Sequence, residues 1–347
     1  MPFELPVDPR EERRNRISRW LGTAFGAVLV VLVVYFGYIG YEGSRQLTNA
    51  DSDSTDCRTP STLGWQYEAI NYPIGSDALL AEQSDQAACA QQGARPGGEV
   101  VGPGGVRLAG WYIPAVSDIG AAGPTVILAH GWGSNKSDML SRAEMLRDRY
   151  NLVLFDFRDH GQSEAGDTTQ GVREAGDLRA MVDWLVEQKA PERIALLGVS
   201  MGGASAVTEA AGDDRIAAVI LESTHSSLAD AVQARLERSG YPLAIPASWA
   251  TLLGALIRTG EDVSAADPIL GIANLDERPV LIIGGGQDQS IGPDDAEKLR
   301  AAAEEAGSPA ELETCEAAGH AGSAETCAEQ YAAWVLGFLD RALAPAG

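Results

Sequence analysis

Histidine and cysteine are scarce in this 347-residue chain, with four of each, and its 26 basic residues are outnumbered by 49 acidic ones. Four histidines leave few choices for a general base. No cysteine pair has the CxxC spacing of a zinc or redox site, and the histidines lie elsewhere, so no metal centre is implied. The formal net charge of −23 repels nucleic acid and anionic lipid head groups, which disfavours a phosphate-binding role. Solubility alone accounts for such an acidic surface. No internal repeat or low-complexity tract appears. The length suits one large α/β domain with an appendage, and 45% hydrophobic residues suffice for a sizeable core.

One long apolar run stands out. Leu21 to Tyr41 contains no charge and includes the stretch from Ala27 to Phe36. About 20 apolar residues cross a ~30 Å hydrocarbon core as a helix. Arg10, Arg13, Arg14, Arg16 and Arg19 crowd the N-terminal flank, while Glu42, Asp51, Asp53 and Asp56 follow. Basic flanks stay cytoplasmic, so residues 1–19 read as an inner arm, 20–41 as a transmembrane anchor, and the rest as extracytoplasmic. A cleaved signal peptide has a shorter apolar region ending in a small-residue site, and the nearest such site here, Thr48-Asn-Ala50, lies well beyond the run. Cys57, Cys89, Cys315 and Cys327 all follow the anchor, in a compartment that favours disulfides. Three pairings are open, and 57–89 with 315–327 is preferred because each pair falls inside one local region.

Residues 42–98 read as a polar tether followed by an extension of weak periodicity. From Glu99 the pattern changes. Glu99 to Ile113 reads as a β-hairpin around a glycine turn. Short apolar runs at 125–129, 151–155, 193–197, 216–221, 279–283 and 310–314 then alternate with helical stretches, which implies a parallel sheet covered on both faces. The alternation stops at about 226–268, where Ile245, Trp249, Leu252, Leu253, Leu256 and Ile257 recur at helical spacing. This insertion is expected as a cap, its stripe either walling a substrate pocket or packing on the body.

Gly198-Val-Ser-Met-Gly202 lies between a strand and a helix, the setting of a nucleophile elbow. Only small neighbours fit beside a serine on so sharp a turn, and the helix that follows points free N–H groups at a developing oxyanion. Serine needs a base, and His320 follows the last strand in a glycine-flanked loop. Asp288, after the strand ending at Ile283, is the acid expected to orient it, with Glu222 as rival; Asp294 and Asp295 read as a helix's first turn. The oxyanion hole is expected from the backbone N–H of Met201 and of Trp132, in the loop His130-Gly-Trp-Gly133. His130 and His160 read as structural.

The runs HGWGSNKSD (130–138), FDFRDHGQS (155–163), GVSMGG (198–203), GGGQD (284–288) and AGH (318–320) resemble the α/β-hydrolase superfamily, in its serine esterase and peptidase-like branch. The likeness covers about 99–342. It implies an eight-stranded, mostly parallel sheet with helices on both faces, a hydrolase domain over 99–347 with a small helical cap, and the triad Ser200, Asp288 and His320. At the start of DHGQS, relatives often carry Arg-Gly-His-Gly, which touches a structural loop. The expected activity is hydrolysis of a small-molecule or lipid-like ester without a cofactor. An amide or peptide hydrolase and a catalytically silent binding module are the alternatives.

Overall fold

The computed structural model describes residues 9–50, 56, 58–70 and 100–344. Eight strands form one sheet: β1 (Glu68–Ile70), β2 (Gly110–Ile113), β3 (Thr125–Ala129), β4 (Asn151–Phe155), β5 (Ile194–Val199), β6 (Ile216–Glu222), β7 (Val280–Gly285) and β8 (Ala310–Cys315). Their order is β1-β2-β4-β3-β5-β6-β7-β8. The β1–β2 and β2–β4 pairs are antiparallel, and every later pair is parallel. The helices are α1 (Pro9–Thr48), α2 (Leu140–Leu146), α3 (Val172–Lys189), α4 (Met201–Ala211), α5 (Leu228–Arg238), α6 (Ala244–Thr259), α7 (Pro268–Ile272), α8 (Asp295–Glu305), α9 (Ser323–Thr326) and α10 (Ala328–Ala342).

Strand alternation sorts the core into two layers. Ile127, Val153, Leu196, Val219 and Ile282 pack with Leu178, Met181 and Val207 of α3 and α4 on one face. Val126, Leu152, Leu197, Ile220 and Leu281 pack with Leu140 of α2 and with Val335 and Phe338 of α10 on the other. Burial on both sides is why these strands read as unbroken apolar runs.

Three local expectations change. The hairpin over 99–113 shrinks to a single bridge, Val101 with Arg107, because β2 starts only at Gly110 and spends its length on β1 and β4. The edge strand β1 comes from residues 68–70, inside the segment read as an extension. The segment read as a tether begins as helix, since α1 runs unbroken to Thr48. It then joins the body, with Thr168 N–H donating to Thr48 O and Ala50 N–H to Asp159 Oδ2. Asp159, the position where DHGQS departs from its relatives, therefore holds the N-terminal segment.

Helix α1 holds a stretch long and apolar enough to cross a membrane, Arg13–Thr48, with a window of mean hydropathy 2.1. Its C-terminal part lies against α6 through small residues. A Cβ on Gly254 would sit 2.2 Å from Gly40 O, and one on Gly43 would sit 2.6 Å from Thr251 Oγ1. The backbone contact admits only glycine at 254, and at 43 a side chain would have to displace that of Thr251.

The segment 226–268 does not behave as its stripe suggested. Ala247, Ser248, Thr251 and Ala255 of α6 turn inward, while Ile245, Trp249, Leu253, Leu256 and Ile257 are exposed. None of these five walls a pocket beside Ser200, whereas Leu252, the sixth residue of the stripe, is half-buried against Leu228, Ala255 and Val263.

Candidate active site

The turn between β5 and α4 places Ser200 at φ 54°, ψ −116°, a left-handed conformation that a side chain occupies only under constraint. Crowding supplies the constraint. A Cβ on Gly198 would meet Gly202 O at 2.3 Å, and one on Gly202 would meet Ala129 O at 2.2 Å. The glycines that flank the serine are thus demanded by neighbouring backbone.

His320 arrives from the loop after β8. Its Nε2 lies 3.1 Å from Ser200 Oγ and its Nδ1 lies 2.8 Å from Asp288 Oδ2. The structure therefore brings together the three side chains expected from the sequence. The Asp288 side chain is buried, and Oδ1 accepts the N–H groups of Ser290 at 2.8 Å and Ile291 at 3.4 Å. Burial works against its ionisation, but the hydrogen bond and charge of His320, with these two N–H groups, hold the carboxyl below the usual range. The acid and histidine loops are stitched together, with Gln287 N–H donating to Ala318 O at 2.8 Å and Gly286 N–H to Cys315 O at 2.9 Å.

The Gly131 loop faces Ser200, a Cβ at Gly131 standing 3.4 Å from the Ser200 Cβ. His160 Nε2 accepts the N–H of Gly133 at 3.1 Å, and Met201 opens α4. Among the described residues, the N–H groups of Trp132 and Met201 have no acceptor within the protein. The first N–H groups of a helix lack intrahelical partners, which suits them to a developing negative charge.

His130 and His160 have structural roles. His130 Nδ1–H donates to Gly131 O at 2.7 Å, and its Nε2 accepts from Phe157 N–H at 3.1 Å. Complete burial pushes its pKa down to about 3, so it stays neutral. His160 Nδ1–H donates to Arg158 O, and burial lowers its pKa as well. Asp295 accepts from Gly292 N–H at the start of α8, while Asp294 is that helix's cap position.

Glu222 is not free to act as the acid. Its carboxylate takes a fork from Arg142, at 2.7 and 2.8 Å, and a 2.9 Å bond from Tyr331 OH. Arg142 also donates to Ala321 O at 2.7 Å, and Ala321 N–H donates to Ser223 Oγ at 3.0 Å. This buried pair pins the backbone next to His320. Sequence reasoning gave Arg142 no role, because a lone arginine in an amphipathic helix reads as a solvated residue.

The Cys315–Cys327 disulfide closes the His320 loop over a separation of 12 residues. The 57–89 pairing lies outside the described residues. Replacing Cys315 and Cys327 together by serine is expected to cost about 3 kcal/mol, the chain-entropy value for a loop of this size. Urea unfolding in detergent reads the loss, and an unmoved midpoint would assign the bond no weight.

The cleft over Ser200 has a volume of about 380 Å³ and a charged rim that includes Asp56, Arg58, Asp138 and Glu325. Two of these come from the N-terminal segment. Arg58 pairs with Asp56, and Asn135 Nδ2–H donates to Asp56 O at 3.4 Å.

Comparison with known proteins bears on the family and the fold. Residues 124–246 match the alpha/beta hydrolase fold family. An uncharacterised protein of Mycobacterium tuberculosis is 34% identical over 207 residues, which is 58% of this chain and 64% of the relative. YfhR of Salmonella typhi, also uncharacterised, is 32% identical over 217 residues, covering 58% of this chain and 67% of its own. An esterase of Pyrococcus furiosus superposes with a TM-score of 0.64 over 86% of this chain and 98% of its own, at 22% identity, a likeness of fold. The chain has the α/β-hydrolase fold and belongs to the α/β-hydrolase family. It spans about two thirds of the length of the curated relatives it matches.

Proposed function

We propose that this chain is a membrane-anchored, extracytoplasmic serine hydrolase that cleaves a carboxylic ester. The observation that carries the reading is the relay from Ser200 Oγ through His320 to Asp288, at 3.1 and 2.8 Å. Ser200 Oγ attacks the ester carbonyl while His320 Nε2 takes its proton. Asp288 keeps the ring in the tautomer whose Nε2 is free to accept, and stabilises the imidazolium. The N–H groups of Trp132 and Met201 receive the oxyanion. His320 then returns the proton to the leaving alcohol, and water releases the acyl group by the same steps in reverse.

The length of α1 and its arginine-rich flank support the anchor and its orientation, and the Cys315–Cys327 bond supports an oxidising compartment. The modest, charged-rimmed cleft supports a small ester ahead of a long-chain one. The test is labelling with a fluorophosphonate, wild type against Ser200→Ala, followed by ester and peptide substrates. Labelling of the wild type alone is expected, with turnover of esters. Equal labelling of both would sink the nucleophile assignment, and turnover confined to peptides would replace the ester reading by the amide one.

A further inference from the structure

The charge of this protein is distributed unevenly. Although 22% of its residues are charged, the stretch Tyr241–Ile257 contains none. It forms the approach to α6 and nearly all of that helix. Ile245, Trp249, Leu253 and Ile257 recur every fourth residue, which sets them in one row on a helix surface, and they are 51%, 65%, 56% and 77% exposed. Leu243 and Leu256 extend the row. A contiguous exposed apolar face of this kind marks an interaction site. None of these residues lines the cleft over Ser200, so the face is not the substrate's.

Its neighbour says what covers it. The face continues directly onto α1. Tyr35 OH donates to Pro242 O at 2.5 Å, and Gly40 meets Ala250 and Gly254 backbone to backbone. A groove of about 590 Å³ between the helices, lined by Phe36, Tyr41, Leu253 and Ile257 among others, joins the two apolar surfaces. Both surfaces also end at one level. On α6 the first charge is Arg258, whose guanidinium lies 5.4 Å from the Tyr41 ring. On α1 the first charges after the apolar run are Glu42 and Arg45. From Tyr41 down to Tyr35 is six residues, about 9 Å of helix at 1.5 Å each, and that matches the roughly 5–10 Å to which interfacial helices sink.

We propose that α6 is a second membrane element. It lies in the outer boundary of the same bilayer that α1 crosses, with the Ile245, Trp249, Leu253 and Ile257 row among the acyl chains and Arg258 at the head groups. This rests on the reading of α1 as a membrane anchor. Trp on the apolar face and Arg at its polar border are the residue types that interfacial helices carry.

The test uses the full chain in phosphatidylcholine–phosphatidylglycerol nanodiscs, with ordinary acyl chains or chains brominated near the carbonyl. The emission of Trp249 is the difference between wild type and Trp249→Phe. It is expected to fall about twofold or more with brominated lipid, as for an interfacial side chain. Leu253→Trp, an added reporter on the same exposed row, should be quenched alike. Phe25→Trp reports on α1 separately. Quenching at position 25 with none at 249 or 253 would overturn the proposal and leave the anchor standing, whereas no quenching at 25 would remove the anchor itself. Unquenched Trp249 in a chain that runs as a dimer would give the face to a second copy, which also overturns the proposal.

Discussion

Alanine at Ser200 or at His320 is expected to lower kcat by about 10⁶-fold, and the double variant should be no slower than either single one. In the proposed mechanism the two side chains share one proton transfer across 3.1 Å, so removing either removes the step. On the same proposal, what survives is the work of substrate binding and of the N–H groups of Trp132 and Met201, roughly 10³–10⁴ over water in enzymes of this design. Steady-state kinetics on an activated ester, with both variants and their combination, gives the answer. Additive losses would show the hydroxyl and imidazole acting in separate steps. Asp288→Asn should lose about 10⁴-fold, because the amide can hold the ring in the wrong tautomer.

The second large effect is on stability. Arg142→Met is expected to destabilise the fold by about 3–5 kcal/mol, since the Glu222 carboxylate, fully buried, is left with only Tyr331. Burial of the pair is nearly complete, with side-chain exposures of 4% and 0%. Adding Glu222→Gln to Arg142→Met removes the stranded charge and should recover more than half of the loss. Chemical denaturation of the two variants measures both numbers. Activity separates the two duties of Arg142. The double variant regains stability but not the bond to Ala321 O, so its kcat should stay low while its midpoint recovers. Full recovery of kcat would show that the loop beside His320 needs no such hold.

The parts of the fold that were legible share a physical cause. Parallel strands buried on both faces must be apolar throughout, so β3, β4, β5, β6 and β7 announce themselves as runs between helices. The elbow was legible because backbone crowding forces glycine at 198 and 202, and the order of Ser200, Asp288 and His320 follows from strand ends lying along one sheet edge. The rest depended on contacts that sequence pattern does not carry. β1 is three residues long at an edge, with a burial pattern of exposed, half-buried and buried positions, too short for any period. The tether reading failed past Gly43 because helix α1 is extended by packing on α6, a long-range contact. The stripe on α6 was visible, but periodicity only says that one face differs from the other. It does not say which face meets protein, and here small residues do.

The unbroken run of α1 into the body has one further consequence. A catalytic domain on a flexible leash samples many heights and tilts above a membrane. Here a single rigid strut is clamped backbone to backbone at Gly40 and Gly254 and fastened again at Thr48 and Ala50. Under the proposed topology, the opening above Ser200 keeps one elevation and one bearing relative to the lipid. Substrate selection then includes an address: an ester must present itself at that altitude to be reached.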